Sequence, residues 1–113
     1  MGKRQSMDHT KLLVLSLLSG GDMYGYQMIT ELERRSNDTF HMKEGTLYPV
    51  LHGLEKDGVV EVYQQETPQG RVRKYYRLTK RGKDLLKTEE SEWETYSQAI
   101  NAVLQSNASA SMA

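Results

Sequence analysis

Residues 45–61, "GTLYPVLHGLEKDGVVE", limit the fold more than any other stretch of the chain. Leu47, Val50, Leu51 and Leu54 recur at helical spacing, so one face of a helix is apolar. Pro49 stands among them, with no N–H and with a ring that strikes the carbonyl four residues back. A helix that begins near Glu44 to Thr46 puts Pro49 in or just past the first turn, whose N–H groups lack internal partners in any case. A start nearer Lys43 leaves a mild kink instead. Gly58 ends the helix. Beyond it the pattern turns from helix to strand. "VVEVYQQ" (59–65) and "VRKYYRL" (72–78) are β-rich, and "ETPQG" between them, with Pro68 and Gly70, reads as the tip of a hairpin.

The remaining elements are helical. Asp8 can cap a first helix over 9–19, ended by Gly20 and Gly21, and "LLVLSLL" (12–18) is apolar on nearly its whole circumference. Such a helix is buried on more than one side, and one side can meet a second subunit. A second helix spans Tyr24 to Ser36, with Tyr24, Met28, Ile29 and Leu32 on its apolar face. "SNDT" is a turn, and Phe40 and Met42 are expected beneath the next helix. On 72–78, Val72, Tyr76 and Leu78 can face the core, while Arg71, Arg73, Tyr75 and Arg77 form a basic and aromatic ladder. Thr79 caps a last helix that runs to about Gln105. Leu86, Trp93 and Ile100 fall seven apart on it, as do Glu89, Tyr96 and Val103, a heptad-like seam with a polar break at Glu89. Residues 106–113, "SNASASMA", read as a disordered tail.

The fold class is therefore mainly α with a small β-hairpin (α+β). Three helices, a hairpin and a helix are the order of a winged helix-turn-helix: a DNA-binding unit over 1–78 and a dimerisation helix over 79–105. The 113 residues suffice for one modest core that dimerisation would support. No cysteine is present, so disulfides and thiolate metal sites are excluded and a reducing, cytoplasmic setting is expected. The apolar run is too short to span a bilayer and lacks a signal-peptide cleavage pattern, so no membrane partner is expected. His9, His41 and His52 have no metal-ligand spacing. With no nucleophile set, phosphate loop or paired carboxylates, neither an enzyme nor a cofactor is expected.

Charge points to a polyanion. Net charge is zero, yet seven of the 15 basic residues lie between Arg71 and Lys83 with no acidic residue among them. The other 8 share the chain with 15 acidic residues. A concentrated positive stripe on an otherwise acidic protein is the electrostatic footprint of a nucleic-acid binder; a solvated basic face is the plainer alternative. Lys80, Arg81 and Lys83 breach local rules, because the positive pole at a helix N-terminus disfavours cations, and a phosphate backbone would relieve them.

"MYGYQMITEL", "GTLYPVLHGLEKDGVVE" and "RKYYRLTKRG" resemble the signature segments of PadR-type transcriptional regulators, in order and spacing, over about residues 9–82. The single C-terminal helix is similar to that of the small subfamily, some of whose members bind flat multidrug-type ligands. The resemblance implies a cytoplasmic homodimer on a double-stranded DNA operator, usually as a repressor.

Candidate sites follow. Thr46, Tyr48 and His52 lie off the apolar face of the third helix, with Lys43 just ahead as a phosphate contact. The resemblance puts Thr46 and Tyr48 at the DNA-facing end; alternatively Tyr48 packs on the preceding turn and Thr46 merely caps. Gln69, Gly70, Arg71 and Arg73 form the wing, which can enter a minor groove or remain an ordinary hairpin. Leu12, Leu15, Leu86, Trp93, Tyr96, Ile100 and Val103 are the expected dimer interface. The resemblance also makes Trp93 a site for a planar aromatic small molecule, with Tyr96 and Glu89 beside it on the seam; otherwise Trp93 is an interface anchor. Two further readings stay open: a DNA-binding regulator with no small-molecule ligand, and a winged-helix protein-interaction module.

Overall fold

A computed structural model describes the backbone of residues 9–112 and the side chains of 9–107. Its elements are α1 (Thr10–Ser19), β1 (Met23–Tyr24), α2 (Gly25–Arg35), α3 (Glu44–Lys56), β2 (Val60–Glu66), β3 (Val72–Leu78) and α4 (Lys80–Met112). The mixed α+β winged-helix architecture read from the sequence is present, with the third strand, β1, added. Two residues do not carry a strand signal; β1 exists because β3 offers it an edge. The sheet order is β1-β3-β2, both pairs antiparallel, with Met23 opposite Tyr76 and Tyr24 opposite Tyr75.

Side chains opposite one another share a sheet face, so the register sorts them. Met23, Val60, Tyr76 and Leu78 are buried against the helices, together with Val14, Leu15, Met28, Leu47 and Leu51. Tyr24, Tyr63 and Tyr75 form the corresponding row across the outer face. Each fully buried aliphatic side chain here contributes roughly 1.5–3 kcal/mol by area, as an upper bound.

Pro49 is the sixth residue of α3, just past the first turn, so it removes a donor to the Gly45 carbonyl but leaves the helix intact. The end of α3 is a reciprocal pair of backbone bonds, Gly58 N–H to Glu55 O and Val59 N–H to Leu54 O, made possible by φ of 78° at Gly58. Thr79 joins that end to α4. Its hydroxyl donates to Gly58 O at 2.7 Å and accepts from Gly82 N–H at 3.1 Å, while its own N–H reaches Val59 O at 3.1 Å.

Several expectations are corrected. Residues 1–8, Asp8 included, lie outside the described residues; His9 is the N-cap of α1 and makes no side-chain cap bond. Phe40 is exposed, and only Met42 packs against the core. Val72 is exposed because the hairpin projects past the helices there. The last helix continues through the expected tail to Met112, since 106–112 contains no glycine or proline and its alanines and methionine favour helix; Ala113 is outside the described residues. No described helix is long and apolar enough to cross a membrane.

Candidate nucleic-acid interface

One face of α3 presents Thr46, Pro49, His52 and Gly53 to solvent, because Leu47, Leu51 and Leu54 turn the opposite face inward. Lys43, the N-cap, is exposed beside them. Tyr48 differs. It is half-buried, and a Cβ built on Gly25 would overlap its hydroxyl, so its tip is seated on the first residue of α2. Tyr48 packs α3 on α2; of the two residues expected at the DNA-facing end, Thr46 is exposed and Tyr48 half-buried, and His52 further along is exposed.

The wing tip is a closed five-residue loop. Thr67 N–H donates to Arg71 O at 2.7 Å, Gly70 N–H to Thr67 O at 2.9 Å and Arg71 N–H to Thr67 Oγ1 at 3.1 Å. These bonds hold Gln69, Gly70 and Arg71 out in water.

On the outer sheet face, three tyrosines are bracketed by two arginines. Arg73 lies 4.2 Å over the Tyr24 ring and Arg77 lies 4.8 Å over the Tyr63 ring. Tyr24 meets Tyr75 edge-on at 5.5 Å, and Tyr75 stacks on Tyr63 at 5.7 Å. Tyr63 donates its hydroxyl to Asp22 at 2.7 Å, a bond that, with burial, pushes its pKa above the usual phenol value. Arg77 also pairs with Glu61 at 3.2 Å and Asp22 at 3.8 Å.

The basic stripe is therefore not uniform. Arg77 is answered by two carboxylates and Lys80 by Asp84 at 3.6 Å. Arg81 reaches over Gly58, at the negative C-terminal pole of α3, so the breach of helix electrostatics at the start of α4 is relieved in part within the chain. Among the described residues, Arg71, Arg73, Lys74 and Lys83 have no carboxylate within 4.0 Å. On α2, hydrogen bonds from Arg34 and then Arg35 hold the Glu31 carboxyl down to about 2. Those two arginines are thus occupied by Glu31.

The seam of α4 divides in two. Leu86 is 7 % exposed and Leu15 0 % exposed within the single chain, so both are core residues with no surface left for a second subunit, contrary to expectation. Leu12 is half-buried. Trp93, Tyr96, Ile100, Val103 and Leu104 are exposed. Trp93 meets Tyr96 at 6.0 Å and His9, in a T-shaped pair, at 4.9 Å. Glu89 pairs with Lys11 at 3.7 Å, so its charge is partly answered already. His9 also lines a cavity of about 240 Å³ that reaches Phe40 and Thr46.

No group of three potential ligands for a metal occurs among the described residues. The residues missed by sequence reasoning are His9, Asp22, Tyr24 and Tyr63. Tyr63 could have been found by laying the two hairpin strands in register, since it falls opposite Tyr75, whereas Tyr24 lies on a strand with no signal of its own. His9 and Asp22 carry no local signal.

Residues 14–88 match the family model described as the Transcriptional regulator PadR-like family. A transcriptional regulator of Mycobacterium tuberculosis is 36% identical over 76 residues, 67% of each chain. A PadR family transcription regulator from Clostridium difficile superposes with a TM-score of 0.73 at 32% identity, covering 86% of this chain and 99% of that one. A transcriptional regulator from Clostridium thermocellum gives a TM-score of 0.76 at 34% identity, covering 83% and 91%. With the family model spanning well over half the sequence, the chain belongs to the PadR-like family of transcriptional regulators.

Proposed function

We propose that the protein is a cytoplasmic, homodimeric repressor that holds a double-stranded operator with α3 and the wing and is released by a planar aromatic ligand. The observation that carries the dimer is the exposed apolar row on α4. Trp93, Tyr96, Ile100, Val103 and Leu104 stand in water on a helix whose root is fixed in the core. A self-complementary row of this kind suits a two-fold contact. In the dimer each subunit presents Lys43, Thr46 and His52 for groove and phosphate contacts, with Gln69, Gly70, Arg71 and Arg73 along the adjacent backbone. The unpaired cations favour DNA over a protein partner, which has no use for them.

Ligand release follows from the surroundings of Trp93. Two indoles facing across a two-fold axis can leave a slot for a flat guest, with Tyr96 beside it and Glu89 one turn back. His9 touches Trp93 and shares the lining of one cavity with Thr46, so a guest that moves the indole has a packed neighbour through which to reach the start of α3. A ligand acts only through its different affinity for the two spacings of the recognition helices.

A second reading, regulation with no small-molecule ligand, is favoured by the same neighbourhood, where Glu89 has Lys11 and Trp93 has His9 as partners. A genome-wide pull-down of bound DNA, repeated with planar cationic dyes, tests both. Enrichment of discrete sites that the dyes abolish supports the ligand-released repressor. Enrichment that dyes leave unchanged supports the second reading, and no enrichment removes DNA binding altogether.

A further inference from the structure

Arg73 and Arg77 form an internal comparison. They are the same residue type on one strand and one face, and each lies over a tyrosine, at 4.2 Å and 4.8 Å. Arg77 also has two carboxylates, Glu61 at 3.2 Å and Asp22 at 3.8 Å. Arg73 has none within ion-pair distance among the described residues. A guanidinium held over a ring, with no carboxylate on its N–H groups, keeps those donors for a phosphate, which they grip in a fork. Stacking also limits the rotamers that the side chain would lose on binding.

Location supports the distinction. Tyr24 immediately precedes Gly25, on which the Tyr48 hydroxyl of α3 is seated. Arg73 lies on β3 two residues past Arg71, the residue that closes the wing-tip loop. Arg77 is further from that tip, close to the strand end where Thr79 ties α4 to α3.

We propose that Tyr24 is a positioning residue for DNA binding, whose ring holds the Arg73 guanidinium ready for a backbone phosphate. Arg77, on the same face, is a structural residue that fixes the root of the wing through Glu61 and Asp22. The proposal rests on the DNA-binding reading above and goes beyond it, because it assigns opposite roles to two arginines of one stripe.

The test uses the full chain and a random-sequence duplex of about 25 base pairs, long enough for two half-sites a helical turn apart, titrated over a range of salt. Arg73→Ala is expected to weaken binding and to lower the salt slope by about 0.9 per site lost. Tyr24→Leu is expected to cost about threefold at low salt, in line with a cation–π contact near the surface. Tyr24→Phe, which keeps the ring, should restore native affinity. In an Arg73→Ala background, Tyr24→Leu should cost nothing further. Arg77→Ala should lower the melting temperature and leave the salt slope unchanged. Equal losses from Tyr24→Leu with and without Arg73, failure of Tyr24→Phe to rescue, or native binding by Arg73→Ala would each overturn the proposal while leaving DNA binding in place. Absence of binding by the native protein at low salt would overturn the DNA-binding reading itself.

Discussion

The two halves of α4 carry the same heptad seam and meet opposite surroundings. At the root, Leu86 is 7 % exposed and Leu85 packs against the core. Further along, Trp93 and Ile100, one and two heptads on, are 42% and 41% exposed, and Val103 is 63% exposed. A seam records that a face needs cover, without naming the cover. The root finds it in its own chain; the distal half projects from a molecule 67 Å long and only 28 Å by 23 Å across. One helix thereby links the winged unit rigidly to whatever binds its far end.

The largest effects should come from the root. A Cβ on Gly82 would overlap the backbone carbonyl of Val59, which cannot swing aside as a side chain can. Gly82→Val should destabilise by more than ~3 kcal/mol, the upper end for overpacking. Leu86→Ala should cost about 2–5 kcal/mol, as for other buried leucines. Urea unfolding measures both. Stabilities within about 0.5 kcal/mol of native would mean that the root is not part of the core.

The distal half should respond differently. Ile100 is not part of the core of the single chain, so an Ile100→Asp monomer should keep its helical signal. The substitution places a charge in the proposed two-fold contact, where an unpaired carboxylate is costly. Sedimentation should show a dimer for the native chain at micromolar concentration and a monomer for the variant. A native monomer would remove the two-fold contact and leave the exposed row without an assigned partner.

This contrast explains what was legible in the sequence. Helices and hairpin could be read because Leu47, Leu51 and Leu54, Tyr76 and Leu78, and the stops at Gly58 and Gly70 are local signals. Leu15 and Leu86 were misplaced because burial in a core and burial in an interface leave the same apolar pattern. The candidate site was legible by type and not by pairing. Thr46, Arg71 and Arg73 could be picked by position, but Arg77 meets Glu61 only through strand register and Asp22 only through the fold. The seat of the Tyr48 hydroxyl on Gly25 was not legible, because nothing on α3 shows which residue of α2 receives it.

A smaller effect sharpens the comparison at Trp93, the first exposed member of the seam. Titration with planar cationic dyes should quench the indole saturably in the native protein. In Trp93→Ala, dye affinity followed by dye fluorescence should fall while binding to DNA is largely kept. Equal dye affinity in both proteins would leave Trp93 as a packing residue, and the distal half of α4 would be an interface alone.

The smallest effect lies where the two halves join. Lys11 and Glu89 are 3.7 Å apart, one turn before Trp93, with the lysine side chain 50% exposed. An exposed pair of this kind contributes at most about 1 kcal/mol, so Lys11→Met should hardly change stability. Its consequence for a guest is more informative. In the native chain Lys11 both neutralises Glu89 and repels a cation near Trp93. Removing it should tighten a cationic planar dye by about two- to fivefold, the range of a surface charge pair, and leave a neutral dye of the same shape unchanged. Because the groups face water, the gain should fade as ionic strength rises. If both dyes changed alike, Glu89 would lie outside the field of the guest, and the slot would select by shape without regard to charge.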